Sequence, residues 1–386
     1  MKIIVAPNAL KGSASATDAA AAIARGLRRV RPNATIERLP ISDGGDGFLD
    51  VANTIGSFDE VTVRVTGPRF EPVTARFLFD RIQKRAMIAM TEASGMVLLP
   101  TDAPRDPTVT TTVGTGELIR AALDAGAMRI VVGIGGSATN DGGVGMATAL
   151  GWTFLRANDE PIRPVGGELH AIAVLDSTGR DPRLDDIQLD VMCDVENPLC
   201  GPDGASAVYG PQKGATPDQV QLLDAGLAHL ADALARTTGI DQRDEPGAGA
   251  AGGIGFGLRA FAGAHLRRGT EILVDWLALD DRLGDADLIV TAEGTLDEQT
   301  RMGKGPAAIA DRAAHAGVPC IAIAGTVTLD SAALHDLGMS AAFSLRAPGM
   351  SIDESITHVI PLLEDTAERA LRSHLDEASS ISSPAP

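Results

Sequence analysis

The residues of this chain that could do chemistry crowd onto short glycine turns. Apolar Ile130–Ile134 runs into Gly135, Gly136, Ser137, Thr139, Asn140, Asp141, Gly142 and Gly143, and a small-residue helical stretch follows. Such a layout suits oxyanions. Glycines let the backbone approach a ligand, exposed N–H groups point at anionic oxygens, and a helix N-terminus adds partial positive charge. A glycine turn that only packs tightly is the competing explanation. The run matches neither G-x-G-x-x-G nor the Walker A pattern. Other turns carry the carboxylates Asp43, Asp46, Asp194, Glu293 and Asp297, the amide of Asn197, and three lysines beside glycine: Lys11, Lys213 and Lys304. Together these are the components of metal-assisted phosphoryl transfer. Magnesium takes a few oxygen ligands and keeps water. Lysines and backbone N–H groups neutralise phosphate oxygens, and one aspartate can take the proton of the acceptor hydroxyl. Taken singly, an Asp after a strand is commonly a turn former or cap, and a lone Lys is commonly solvated.

Those turns need strands and helices to hold them. Residues 2–6 form an apolar run ending at Pro7-Asn8, a buried strand. Ser15 to Asp18 resembles a capping box, and Ile23, Leu27 and Val30 recur at helical spacing. Ala34–Ile41 is a second strand, so the chain opens β-α-β and a parallel sheet is expected. From about residue 60 the texture changes. Val61–Val65, Val73–Phe79 and Ala86–Met90 read as successive strands, more antiparallel than wound. Gly114-Thr115-Gly116 precedes a helical stretch at 117–125, and strand 129–134 enters the glycine turn. Thr216-Pro217-Asp218-Gln219 sets up an N-cap, a first-turn proline and a capping partner, ahead of an apolar stripe on Val220, Leu223, Leu227, Leu230 and Leu234. Gly247–Gly257 holds six glycines and reads as a loop. Strands at Asp287–Thr291, Cys320–Ala324 and Ala341–Leu345 alternate with helices at Ala307–Ala316 and Ser355–Leu371, the latter containing Pro361.

The expected architecture is α/β. A discontinuous Rossmann-like wound parallel-sheet domain (1–60 with 285–372) carries an inserted mixed α/β domain (61–284), and a Ser/Pro-rich tail (373–386) lies outside the fold. Open α/β sheets bind ligands at the carboxyl ends of their strands, where all the unusual turns fall, so one active site in an interdomain cleft is expected. Composition agrees. The 386 residues suffice for two cores, and with only 3% aromatics those cores are aliphatic. The net charge of −18 argues against nucleic acid and anionic membranes as partners. No apolar run spans a bilayer, and the chain opens on a strand without signal-peptide features, so a cytoplasmic location is expected. Three cysteines without zinc-ligand spacing and seven scattered histidines remove weight from metalloprotease and hydrolase chemistry. A nicotinamide dehydrogenase would need a G-x-G-x-x-G turn after the first strand, where Ala6-Pro7-Asn8-Ala9-Leu10-Lys11 stands instead. A hydroxy-acid sensor without turnover would need the cations but not the surplus carboxylates.

Asp43-Gly44-Gly45-Asp46-Gly47, the Gly135–Gly143 run and Asp194-Val195-Glu196-Asn197-Pro198-Leu199-Cys200-Gly201 resemble signatures of the type 1 glycerate kinase family. So do Ala6–Ser13, Gly204–Ala215 and Gly247–Gly253, in collinear order over about residues 1–370. The resemblance implies a two-domain α/β fold and ATP-dependent, Mg²⁺-assisted phosphorylation of D-glycerate, with 2-phosphoglycerate the usual bacterial product; a 3-kinase is the alternative. On this reading Gly135, Gly136, Ser137 and Asn140 cradle phosphate. Lys213 and Lys304 neutralise charge, Asp43 or Asp194 is the base, and Asp141 or Glu293 holds Mg²⁺. Lys11, Gly44, Gly45 and Asn197 meet the substrate. A homodimer is compatible with the sequence. The pattern departs at Ala292 and Thr295, where the family commonly has glycine and arginine, and Arg301 and Arg259 are candidates for the missing cation.

Overall fold

Apolar runs buried on both faces place the central strands, and short turns join them. The computed structural model describes residues 1–10, 12–42, 44–45, 47–298, 300 and 305–382. In chain order the strands are β1 (Lys2–Pro7), β2 (Thr35–Arg38), β3 (Asp59–Thr66), β4 (Pro72–Asp80), β5 (Arg85–Ala89), β6 (Arg129–Gly133), β7 (Thr153–Leu155), β8 (Val174–Asp176), β9 (Gln188–Met192), β10 (His265–Arg267), β11 (Leu288–Leu296), β12 (Cys320–Val327) and β13 (Ala341–Ser344). The chain divides into two compact units. The first comprises Met1–Asp43, Asp50–Ile55 and Thr270–Pro386; the second comprises Gly44–Leu49 and Gly56–Gly269.

The first unit is built on a wholly parallel sheet, ordered β13-β12-β11-β1-β2. Strand order reverses between β1 and β11, which makes their carboxyl ends the switch point where wound sheets bind ligands. Ile3, Ile4 and Val5 are fully buried. On one face Ile3 and Val5 join a core with Ile23 and Leu27 of the Ala16–Val30 helix and with Leu363, Ala367 and Leu371 of the Val359–Ser382 helix. Ser15 caps the first of these helices by accepting from the Asp18 N–H at 3.0 Å. Residues 270–284 cluster with this unit rather than with the insertion. Arg282 donates from Nε to the Leu277 carbonyl and pairs with Glu37, and Leu277, Leu279 and Leu283 are buried.

The second unit holds a six-stranded mixed sheet, ordered β10-β9-β6-β5-β4-β3. Strands β5, β6, β9 and β10 are parallel, and β3, β4 and β5 form the expected antiparallel run. The Pro217–Thr238 helix opens with the expected capping box between Thr216 and Gln219.

Five expectations are corrected. Gly114 and Gly116 lie inside the Val113–Asp124 helix, not before it. A Cβ on Gly114 would fall on the Thr66 carbonyl at the end of β3, so the glycine marks close packing rather than a turn. Eight of the eleven residues of the expected Gly247–Gly257 loop belong to the Ala250–Ala262 helix, interrupted by left-handed Ala251, Gly252 and Gly253. Strands β11 and β12 run past Thr291 and Ala324, because Thr295↔Thr326 and Leu296↔Val327 extend the ladder. The helix expected at Ser355–Leu371 is two helices, Ile352–Thr357 and Val359–Ser382. Pro361 sits in the first turn of the second, where its missing N–H costs nothing. That helix continues to Ser382, ten residues past the position where the sequence reading ends the fold.

Candidate active site

In the second unit the glycine turn begins where β6 ends. Gly133 and Gly135 lie against a second turn: Gly135 N–H donates to the Gly44 carbonyl at 3.3 Å, and a Cβ on Gly135 would stand 2.6 Å from the Gly45 Cα. Gly44 in turn packs on Met192, the last residue of β9. Gly44 and Gly45, Gly133 and Gly135, and Met192 therefore meet at the carboxyl ends of the neighbouring parallel strands β6 and β9. Gly136 is solvent-exposed and Gly135 half-buried. Ser137, Thr139 and Asn140 turn inward, at 4%, 0% and 0% exposure.

Beneath the turn lies Lys213, 2% exposed, on the single-turn helix Pro211–Lys213. Its Nζ donates to Ser137 Oγ and to the Thr139 carbonyl, both at 2.7 Å. Burial lowers its pKa to about 7, against a smaller upward pull from Asp141. Lys213 thus clamps the turn from below and places a titratable cation under its exposed backbone.

Asp141 is also fully buried, and its carboxylate is saturated. Oδ2 accepts from Thr112 N (2.8 Å), Thr112 Oγ1 (2.8 Å) and Gly145 N (3.2 Å), and Oδ1 accepts from Gly143 N (3.1 Å). Burial raises its pKa, and these four donors oppose the rise. The side chain ties the start of the Val113–Asp124 helix to the start of Val144–Ala149, an anchoring geometry rather than that of an open metal ligand. Asn140 Nδ2 donates to Ser206 Oγ at 2.9 Å. Asn197 is similarly engaged: its Nδ2 donates to the Asp203 carbonyl and its Oδ1 accepts from Tyr209 Oη. Asp194 is exposed at the end of β9, with Oδ1 accepting from Gly269 N at 2.8 Å. Thr112, Ser206 and Tyr209 were not anticipated. Each works through a pairing distant in sequence, which no local pattern announces.

The first unit has a cavity of about 400 Å³ at the carboxyl ends of its sheet. Glu293, Thr295 and Asp297 line it from β11 and the turn beyond, together with Ser13, Thr326 and Arg346. Apolar Leu345, Ile352, Ile356 and Val359 complete its wall. Among the candidates for the missing cation, Arg259 pairs instead with Glu245 in the second unit, and Arg301 lies outside the described residues. Arg346, which sequence reasoning missed, is the cation beside Thr295. Lys11, Asp43, Asp46 and Lys304 also lie outside the described residues. Among those described, no group of three His, Cys, Asp or Glu side chains could hold a metal, and no helix is long and apolar enough to cross a membrane. Glu293 borders this cavity with the hydroxyls of Ser13, Thr295 and Thr326, and such oxygens are the ligand type that Mg²⁺ accepts while keeping water.

A family model described as the glycerate kinase family matches residues 3–375. A Bacillus subtilis (strain 168) protein named glycerate kinase is 46% identical over 369 residues, covering 95% of this chain and 96% of the relative. An Escherichia coli (strain K12) protein named glycerate 2-kinase is 44% identical over 357 residues, covering 92% and 93%. A crystal structure from Salmonella typhimurium LT2, described as a glycerate kinase 2, superposes with a TM-score of 0.86 at 42% identity, covering 98% of this chain and 99% of that one. Matched along nearly its whole length by the family model and by these relatives, the chain belongs to the glycerate kinase family.

Proposed function

We propose that this protein transfers the γ-phosphoryl group of ATP, with Mg²⁺, to the 2-hydroxyl of D-glycerate, giving 2-phospho-D-glycerate and ADP. One observation carries the reading: the exposed Gly135–Gly136 backbone at the end of β6, with the Lys213 ammonium buried beneath it. An anion meets backbone there, while Ser137, Asn140 and Asp141 hold the turn in shape. The E. coli relative's name supports glycerate as acceptor and the 2-position as the site.

In the transfer, the glycerate 2-oxygen bonds to the γ-phosphorus as the bond to the β-bridging oxygen breaks. The hydroxyl proton passes to a carboxylate. Asp194, exposed at the end of β9, is the described candidate, and Asp43 is the other. Lys11 and Lys304 retain their proposed roles at the substrate carboxylate and the phosphates. Glu293 is assigned to the metal; Asp141 is reassigned to anchoring. When bound, Mg²⁺ neutralises phosphate oxygens as charge moves onto the leaving group.

An enolase-coupled assay with ATP, Mg²⁺ and D-glycerate tests this. Phosphoenolpyruvate should form without phosphoglycerate mutase. Formation only when mutase is added would move the transfer to the 3-hydroxyl, and no formation in either case would remove glycerate as the acceptor.

A further inference from the structure

The cavity of the first unit is too large for glycerate alone. At about 400 Å³ it falls in the range of small-molecule sites, and a three-carbon acid would leave most of it empty. Its wall is also of two kinds. Ile352 and Ile356 stand one helical turn apart on the Ile352–Thr357 helix, 59% and 39% exposed, both bordering the cavity. Two isoleucines left in water beside a cavity form an apolar shelf, and covering it is favourable. The same lining holds groups that suit the polar part of a ligand. Arg346 is held in place by donating from Nε and Nη2 to the Met350 carbonyl, at 3.3 and 3.0 Å, and its Nη1 is 3.5 Å from Thr326 Oγ1. Asp297 lines the same space as an acceptor for hydroxyls.

An apolar slab joined to a polyol and an anion is the outline of a nucleotide. We propose that this cavity holds the nucleoside half of ATP, with the base on the Ile352–Ile356 shelf, the ribose hydroxyls donating to Asp297, and the phosphates running past Arg346 toward Glu293. The placement fits the position of the cavity at the reversal of strand order between β1 and β11, where wound sheets bind ligands. It rests on ATP being the phosphoryl donor, as proposed above.

Ile356→Asn tests it, with Ile356→Leu as the conservative partner. Both change a partly exposed side chain, so the fold should survive. Removing the apolar contact should raise KM for ATP about tenfold, whereas KM for glycerate stays within about twofold. Ile356→Leu should restore KM for ATP. Adenosine should compete with ATP in the unsubstituted enzyme and lose potency in Ile356→Asn, whereas inorganic tripolyphosphate should inhibit both proteins equally. The assignment is overturned if KM for glycerate moves instead, if KM for ATP is unmoved, or if adenosine does not compete. If glycerate is phosphorylated from ATP and these values still do not move, the nucleoside site alone is lost. If the unsubstituted protein cannot use ATP, the donor reading fails and takes the nucleoside site with it.

Discussion

At the scale of single residues, the site turns on where two buried charges point. Lys213 looks from its sequence like a phosphate-facing lysine beside a glycine, yet its ammonium is spent on Ser137 and Thr139. Its influence on a ligand is therefore electrostatic, exerted through the turn, and depends on protonation. The pKa near 7 sets the sign of two effects. Between about pH 7 and pH 10, the unfolded chain binds a proton that the folded protein has released, so stability gains from rising pH, by at most about 1.4 kcal/mol per unit. Anion affinity at the turn should move the other way, because deprotonation removes the cation. Lys213→Met should abolish both trends. Urea midpoints and tripolyphosphate binding, each followed from about pH 6.5 to pH 9 in both proteins, check this; parallel slopes in the two proteins would assign the titration to another group. Asp141 teaches the same lesson. The resemblance makes it a candidate for holding Mg²⁺, and the structure surrounds its buried carboxylate with four donors that tie the starts of two helices together.

At the scale of elements, local signals were the legible ones. The caps at Ser15 and Thr216 and the glycine turn after β6 depend on residues a few positions apart, and all three stand where their patterns placed them. What the sequence hid was set by partners far along the chain. Residues 293–296 look like a turn, but they are strand because β12 pairs with them. Arg346 is recognisable as the cation beside Thr295 only once β13 is known to flank β12. The glycines of the Val113–Asp124 helix misled for a related reason. Propensity alone says that Gly114→Ala should stabilise that helix by about 1 kcal/mol. The Thr66 carbonyl occupies the place of the new methyl group, and Ala93 Cβ would stand 2.9 Å from it. The substitution should instead destabilise the protein by about 2–3 kcal/mol, read from urea unfolding. A stabilised variant would mean that the helix can shift away from β3 at little cost.

At the scale of the whole molecule, the two ends of the chain depend on each other. The Val359–Ser382 helix packs along the Ala16–Val30 helix, and Arg25 and Arg29 both pair with Glu364. A chain ending at Thr357 would lose Leu363, Ala367, Ala370 and Leu371 from the core shared with Ile3 and Val5. Hydrogen exchange should then show β1, β11 and β12 unprotected, with β5, β6 and β9 still protected; persistent protection of β1 would show that the C-terminal helix is dispensable. The same discontinuity has a consequence during synthesis. Everything the second unit needs has been made by Gly269, but β1 waits for β11, which begins at Leu288. At ordinary elongation rates that wait lasts on the order of tens of seconds. Throughout it the nascent chain carries an apolar strand, Ile3-Ile4-Val5, with one hydrogen-bonding edge unclaimed. The insertion can thus be finished ahead of its host, and β1, made early, is among the last strands to find its place.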